Sequence, residues 1–200
     1  NIIADNKVIQ DYVSENYNKG SVMIPYGADH VFQEKLSHEI INKYPFSTKK
    51  YGFKVCRIEP ENNVHLIIDA FEKFGKLVLV IVGNWDTSDY GKKLKAKYEN
   101  KENIVLLSPI YDQVELNALR SNCYIYIHGH SAGGTNPSLV EAMYLRLPIF
   151  SFGAKYNKET TNYSAYYFNN AEELIDLLIQ LNEEIRSILS SKMFQIANER

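Results

Sequence analysis

The stretch Leu77-Val78-Leu79-Val80-Ile81-Val82-Gly83 decides the fold: it is an uninterrupted apolar run that a glycine ends. Aliphatic and β-branched residues without alternation are typical of a strand that is covered on both faces. Such cover comes from helices packed on the two sides of a parallel sheet. The run is also far too short to cross a bilayer. The flanking sequence must therefore supply helices on either side of this strand.

Helix patterns and strand patterns alternate along almost the whole chain. Residues 63–74, for example, place five apolar side chains at the spacing of one helix face. The patterns predict strands at 22–24, 51–58, 77–82, 104–107, 123–127 and 148–152. They predict helices at 6–17, 31–44, 63–74, 88–99, 112–121, 137–146, 171–182 and 184–197. This alternation predicts an α/β fold with a doubly wound, Rossmann-like parallel sheet.

Composition excludes several classes of protein. Of 200 residues, 45% are hydrophobic and 23% are charged, as in an ordinary soluble globular protein. The net charge of −2 creates no overall field that attracts nucleic acid, so we expect no nucleic-acid partner. Cys56 and Cys123 lie within apolar runs, which is typical of small buried residues in a reducing compartment. The chain opens on Asn1 without an initiating Met, and we expect it to be part of something longer.

Residues suited to chemistry are densest between His128 and Glu141. This segment follows a predicted strand, contains three glycines and leads into a helix, for which Asn136 suits the N-cap and Pro137 the first position. The amides of residues 135–139, at the positive end of the helix dipole, would bind an anion such as a diphosphate. The alternative is a plain strand-to-helix turn that needs glycine for its backbone conformation.

Three side chains near these turns are candidates for ligand contacts. Glu141 lies on an otherwise apolar helix face, so it must be paired, and it would either accept hydrogen bonds from vicinal sugar hydroxyls or complement the helix dipole. Arg57 ends a predicted strand and would hold phosphate oxygens, or else form a surface ion pair with a nearby glutamate. His128 and His130 have no obvious third ligand nearby in the sequence, so we expect His128 to line a cleft rather than to bind a metal.

Four segments together resemble the family-4 glycosyltransferases with the GT-B fold. Residues 57–62, Arg-Ile-Glu-Pro-Glu-Asn, resemble the R-x-x-x-E-K-N/G segment of that family, and residues 79–83 are similar to its central strand. Residues 136–149 resemble its E-A-M-x-x-G-x-P-V signature, and residues 24–29 resemble the I-P-N-G-V-D hinge that ends the acceptor domain. The resemblance covers about residues 20–182.

Three further segments are similar to the rhamnosyltransferase-like branch of bacterial polysaccharide enzymes: His128–Pro137, Tyr156–Asn162, and Asp5-Asn6 with Tyr12. Two positions depart from the family pattern. The family has two glutamates eight positions apart, but only the later one, Glu141, is present, and Gly133 stands at the earlier position. The phosphate-binding lysine of the family is replaced by Asn62.

The resemblance implies the C-terminal, nucleotide-sugar-binding half of a GT-B fold. Residues 1–29 would be the tail of the acceptor domain and the hinge, residues 30–182 the donor domain, and residues 183–200 a C-terminal helix. Arg57 would neutralise the diphosphate and Glu141 would hold the ribose, which makes these two the implied catalytic residues. The implied donor-binding residues are Asn62, Gly83, Ile110, Tyr111, His128, Gly133, Gly134, Thr135, Asn136, Ser138, Leu139 and Glu141. No metal or other cofactor is implied, since an arginine and the helix dipole supply the positive charge.

The function implied by the resemblance is transfer of a hexose or deoxyhexose from a nucleotide sugar to a glycan or lipid-linked acceptor. The implied setting is bacterial surface polysaccharide biosynthesis in the cytoplasm, with peripheral contact to the inner face of the membrane through a missing acceptor domain. The chain itself would be incomplete for catalysis. Two alternatives stay open, namely a GT-B nucleotide-sugar epimerase and a non-catalytic nucleotide-binding module.

Overall fold

The structure, a computed structural model, describes residues 2–200. Its strands are β1 (Ile2–Ala4), β2 (Ser21–Met23), β3 (Tyr51–Val55), β4 (Val78–Val82), β5 (Ile104–Leu107), β6 (Ile125–His128), β7 (Ile149–Phe152) and β8 (Tyr166–Phe168). Its α-helices are α1 (Lys7–Tyr17), α2 (His38–Lys43), α3 (Val64–Phe74), α4 (Asp89–Tyr98), α5 (Gln113–Ser121), α6 (Pro137–Tyr144), α7 (Lys155–Thr160), α8 (Ala171–Gln180) and α9 (Glu183–Asn198). Two short 3₁₀ helices occupy Pro45–Thr48 and Pro60–Asn62.

Six strands form one parallel sheet in the order β5-β4-β3-β6-β7-β8. The chain adds strands outward from β3 through β4 to β5, and then returns to the other side of β3 to add β6, β7 and β8. The doubly wound parallel sheet predicted from the sequence is therefore confirmed. Its strand order reverses between β3 and β6, and open α/β sheets bind ligands beside such a reversal.

Two hydrophobic clusters cover the two faces of the sheet, as the unbroken apolar run of β4 predicts. Val80 and Val82 belong to one cluster, and Leu79 and Ile81 belong to the other. Helices α5 and α6 pack in the first cluster, and helices α3, α4 and α8 pack in the second. Gly52 of β3 is needed for this packing, because a Cβ atom there would lie 2.6 Å from Cζ of Phe71.

Residues 2–23 form a separate small unit in which β1 pairs in parallel with β2 and α1 connects them. None of the residues Lys7–Tyr17 is buried, so α1 has little apolar contact with the rest of the chain. The fully buried Asn6 side chain and the neighbouring Asp5 attach this unit to the sheet domain. The side-chain amide nitrogen of Asn6 donates to Oγ1 of Thr135 at 3.3 Å, to the carbonyl of Tyr156 at 3.3 Å and to Oγ1 of Thr160 at 3.2 Å.

The predicted helix at 31–44 is wrong over its first half. Only His38–Lys43 is helical, because Ser37 caps the helix by accepting from the Ile40 amide at 3.2 Å. The preceding residues bond instead to the sheet domain: Gln33 donates to the carbonyl of Leu145 at 2.8 Å. Polar tertiary partners therefore outweigh the local helical pattern there.

The other differences concern ends and short elements. The predicted strand at 51–58 ends at Val55, after which the chain turns into a loop and a 3₁₀ helix. Three short elements were not predicted: β1, α7 and β8. Among residues 2–200, no helix has the length and apolar character that crossing a membrane requires.

Candidate functional site

Two cavities open at the carboxyl edge of the central strands, with volumes of about 480 and 320 Å³. They share Val55, Cys56 and Arg57, which end β3 and begin the loop after it. The two cavities are therefore parts of one cleft, and they lie where the doubly wound sheet places a ligand. We call them the β4–β5 cavity and the α6 cavity after the elements that border them.

The β4–β5 cavity is formed by the turns that follow two neighbouring strands. Gly83 ends β4, and Pro109, Ile110 and Tyr111 follow β5. A Cβ atom on Gly83 would lie 2.5 Å from the carbonyl oxygen of Cys56, so glycine is required where the two strand ends approach. The predicted residues Gly83, Ile110 and Tyr111 thus lie together, and the Tyr111 ring is exposed. This largely apolar wall suits a planar ring.

The α6 cavity gathers charged and polar side chains, and Arg57 is the most exposed of them. Its side chain is 75% exposed, and its guanidinium Nη1 lies 3.4 Å from Oε2 of Glu59. An exposed ion pair of this kind contributes little, so the guanidinium can exchange Glu59 for a stronger anionic partner. Asn62 is buried in the same wall, where it donates to the carbonyl of Arg57 at 2.9 Å and contacts Nδ1 of His130 at 3.2 Å.

Glu141 is held at the floor of the α6 cavity by two partners. One carboxylate oxygen, Oε2, accepts from Nη1 of Arg120, whose side chain is 1% exposed. The other, Oε1, lies 3.2 Å from Nε2 of His30, whose side chain is 60% exposed. The expectation that this carboxylate must be paired is therefore met by a buried arginine on α5 and an exposed histidine in the segment before α2.

The start of α6 differs from the anion site expected at residues 135–139, because the amides of Thr135, Ser138 and Leu139 already have acceptors. Asn136 caps the helix, and its Oδ1 accepts from the Ser138 amide at 3.1 Å and from the Ser138 hydroxyl at 2.7 Å. The Leu139 amide donates to the Asn136 carbonyl at 3.0 Å, and the Thr135 amide donates to Oδ2 of Asp5 at 3.2 Å. An anion would have to replace the Asn136 side chain to reach the Ser138 amide.

The glycine-rich turn before α6 makes contact with the N-terminal unit rather than with the cleft. Gly133 has a positive φ of 79°, and a Cβ there would meet no atom within 4 Å. A Cβ on Gly134 would lie 2.5 Å from Oδ1 of Asp5, so this glycine allows the β1–α1 turn to approach. Gly133, Gly134 and Thr135 are not among the residues that line either cavity. Their predicted donor contacts stay predictions.

His128 also lies outside the lining of both cavities, contrary to the expectation that it would face the cleft. It is buried at the end of β6, and burial, helped by Lys54, lowers its pKa well below the ordinary value near 6.5. His130 does line the α6 cavity, and burial lowers its pKa as well. Within residues 2–200 no three His, Cys, Asp or Glu side chains come close enough together to hold a metal ion.

Residues 129–133, Gly-His-Ser-Ala-Gly, also fit the G-x-S-x-G pattern of a hydrolase nucleophile elbow. The pattern needs a serine hydroxyl that is free to bond a histidine base. Here the Ser131 hydroxyl donates to the carbonyl of Glu61 at 3.0 Å, and its amide donates to the same carbonyl at 2.8 Å. The segment is therefore a structural turn that joins the loop after β3 to the loop after β6.

Sequence reasoning missed two of the residues that shape this site. Arg120 carries a signal that could have been noticed, because it is a charged residue among the apolar positions of α5. His30 carries no such signal, since it lies in an irregular segment 111 residues from Glu141. Only the folded chain brings the two to the same carboxylate.

Comparison with known proteins gives a consistent family. Residues 37–195 match the family described as "Glycosyl transferases group 1". Among solved structures, HepE of Anabaena, in complex with UDP and glucose, superposes with a TM-score of 0.80 at 18% identity over 99% of this chain. A glycosyltransferase from Rickettsia africae superposes with a TM-score of 0.82 at 16% identity over 98% of this chain. None of the curated proteins matches the chain in sequence.

The chain covers about half of some of these solved structures and almost all of another. The chain spans 58% of the length of HepE and 58% of the Rickettsia protein. By contrast, it spans 96% of the C-terminal domain of LpcC, a group 1 family protein from Francisella tularensis, with a TM-score of 0.67 at 16% identity over 86% of this chain. The fold is accordingly the Rossmann-like, C-terminal half of the GT-B architecture.

Proposed function

This chain belongs to the group 1 glycosyl transferases, and on that premise we propose that it binds the nucleotide-sugar donor of an enzyme that transfers a glycosyl group. The observation that carries the proposal is the single cleft at the carboxyl edge of β3, β4 and β5. An apolar wall, an exposed arginine and a paired glutamate meet there. The apolar wall suits a planar base, the arginine suits an anionic diphosphate, and the glutamate suits the hydroxyls of a ribose. The family premise and this chemical match together favour a nucleotide-sugar donor.

Each part of the donor has a matching surface in the cleft. The base would lie in the β4–β5 cavity against Ile110 and Tyr111. The diphosphate would bind Arg57 and the positive end of α6, where Arg57 would also offset the charge that develops on the leaving group. The ribose hydroxyls would donate to Glu141 in place of His30. Asn136 and Ser138 line the same cavity and would turn their side chains towards the phosphates.

The proposed reaction is attack of an acceptor hydroxyl on the anomeric carbon, with departure of a nucleoside diphosphate. We further propose a hexose or deoxyhexose donor and a glycan or lipid-linked acceptor, within family 4 and its rhamnosyltransferase-like branch. The family-4 placement rests on the four segments that resemble that family, and the branch rests on the resemblance of His128–Pro137, of Tyr156–Asn162 and of Asp5-Asn6 with Tyr12. The same proposal includes surface polysaccharide biosynthesis on the cytoplasmic face of a membrane, no metal cofactor, and a domain boundary at the hinge near residue 29.

The test is calorimetric titration of the chain with UDP, GDP, ADP, dTDP and their hexose conjugates. We expect saturable binding to one base, weakened about tenfold or more by Arg57→Ala and by Glu141→Ala, since each removes a charged hydrogen-bond partner of the ligand. The matched controls are Lys76→Ala and Glu102→Ala. Both residues are exposed and lie before β4 and β5, at the opposite edge of the sheet. These controls should leave the affinity unchanged.

Two results would contradict the proposal. Absence of binding to every nucleotide, or equal loss of affinity in the control variants, would show that the cleft does not recognise a nucleotide. Product analysis then separates the remaining alternatives. A transferase releases the nucleoside diphosphate only as the sugar appears on an acceptor, whereas an epimerase converts the sugar without an acceptor.

A further inference from the structure

We propose that Arg120 is a positioning residue for the donor site: it holds one oxygen of the Glu141 carboxylate and thereby leaves the other for the ribose hydroxyls of a nucleoside diphosphate. This inference rests on the proposed function. It concerns a residue on α5 that the sequence pattern did not assign to the site. It implies that the preference for ribose depends on Arg120 and Glu141 together.

The first step is the burial of the arginine. Arg120 is 1% exposed, and its guanidinium donates through Nη1 to Oε2 of Glu141 and through Nη2 to Oδ1 of Asn117 at 2.9 Å. A buried guanidinium with one carboxylate partner is costly to separate from it. It also lies in the last turn of α5, where the helix dipole favours a positive charge. We therefore expect Oε2 of Glu141 to keep its hydrogen bond to Arg120 when a ligand binds.

The second step is the contrast between the two carboxylate oxygens. Oε1 of Glu141 faces His30, which is 60% exposed and lies in a segment without regular structure. An exposed partner gives up its contact to a ligand at little cost, because water replaces that contact. The fixed Arg120 and the replaceable His30 together present one oxygen atom at a defined place. This oxygen can accept hydrogen bonds from the hydroxyls of a ligand, and the ribose of a nucleoside diphosphate supplies two adjacent hydroxyls.

The third step is that the arginine lies at the cavity itself. Arg120 and Glu141 both line the α6 cavity, together with Arg57. The Nε atom of Arg120 is buried and has no hydrogen-bond partner among residues 2–200. The guanidinium thus has a donor left over after binding Glu141 and Asn117. Most buried donors are satisfied within a fold, so this unpaired donor is unusual for a residue that lines the cavity.

The experiment measures the preference for ribose over 2′-deoxyribose. Dissociation constants are determined by calorimetry for UDP, GDP and ADP and for the 2′-deoxy form of each, and the preference is the ratio for the base that binds tightest. We expect a preference of about tenfold or more in the unaltered chain, as for one hydrogen bond to a charged acceptor. Arg120→Met, which keeps the length of the side chain, should bring the ratio close to one. Glu141→Gln should lower it as well.

Two further variants keep the result interpretable. Arg120→Met leaves the Glu141 carboxylate without its buried partner and could prevent folding, so the double variant Arg120→Met/Glu141→Gln removes both charges. Its ratio should equal that of Arg120→Met alone, because the two residues act as one unit. The matched control is Arg186→Met, which removes another arginine–glutamate pair, with Glu183, on α9 away from the cleft. It should keep the full preference.

Each other outcome counts against a specific statement. If Arg120→Met weakens the ribose and deoxyribose forms equally, Arg120 has only a structural role and the inference is wrong. If the unaltered chain binds nucleotides without any ribose preference, the inference is wrong while the proposed function stands. If dTDP, which carries 2′-deoxyribose, binds tighter than UDP, GDP and ADP, the inference is wrong while the proposed function stands. If none of these four nucleotides binds, the proposed function is wrong and the inference fails with it.

Discussion

Replacing Asn6 by alanine should release the N-terminal unit without unfolding the sheet domain. The Asn6 side chain is fully buried and caps α1 by accepting from the Val8 amide at 3.0 Å. It also makes the three hydrogen bonds that reach Thr135, Tyr156 and Thr160. Helix α1 has no buried residue of its own, and besides Asn6 the unit is held by Asp5, whose side chain and carbonyl accept hydrogen bonds from Thr135.

The size of the effect follows from these bonds. A lost N-cap costs about 1 kcal/mol, and each lost buried hydrogen bond costs about 1 kcal/mol net. The side-chain amide shares its two hydrogens among three acceptors, so these contacts count for about two bonds, and the local free energy of opening should fall by about 3 kcal/mol. That energy corresponds to roughly 100-fold faster exchange of the α1 amides.

Hydrogen exchange measured by mass spectrometry on the peptide that covers residues 7–17 tests this prediction. Asn6→Ala should speed exchange there about 100-fold, whereas peptides from β4 should be unchanged. Asn6→Ser keeps a cap oxygen but loses the amide donor, so it should give roughly 30-fold. Asn182→Ala, which removes a cap with no tertiary bond, should speed exchange in α9 only about fivefold. If Asn6→Ala and Asn182→Ala had equal effects, the anchoring role of Asn6 would be refuted.

Three further predictions concern the sheet domain. Gly83→Ala should lower the free energy of unfolding, measured in urea, by about 2 kcal/mol, since the new Cβ meets the Cys56 carbonyl. Gly20→Ala is the control: a Cβ there meets no atom within 4 Å, so this free energy should change by less than about 0.5 kcal/mol. Burial lowers the pKa of His128, so below pH 6.5 the unfolded chain takes up a proton that the folded chain does not. The free energy of unfolding should therefore fall on acidification by up to about 1.4 kcal/mol per pH unit. His128→Gln should reduce that slope in urea titrations between pH 6 and 5. Burial also raises the pKa of the Cys123 thiol to about 12, so at pH 8 a disulfide reagent should modify it only after unfolding; rapid modification of the folded chain would contradict this burial.

Local patterns predicted the sheet domain well because its elements are long and strongly periodic. The apolar run of β4 and the apolar stripe of α3 each mark a buried face, because buried positions hold apolar residues. The helix at 31–44 failed because polar residues there have partners more than 80 residues away. The short elements α7 and β8 were missed because three to six residues carry no clear period.

The site was predictable to the extent that it depends on strand ends. Arg57, Gly83 and Ile110 follow three strands of one parallel sheet, and such ends must meet at one edge. The contacts of Glu141 were not predictable in the same way. A sequence shows that a carboxylate on an apolar face needs a partner, but it does not show which partner.

The sequence by itself therefore determined the fold class, the edge of the sheet at which the cleft lies, and the residues that follow each strand. Those features depend on periodicity and on chain order, which are local. Only the tertiary structure decided that Arg120 and His30 share the Glu141 carboxylate, and that Asp5 and Asn6 bind the turn before α6. Hydrogen bonds between side chains distant in sequence depend on distances of a few tenths of an ångström, and packing of the whole chain sets those distances.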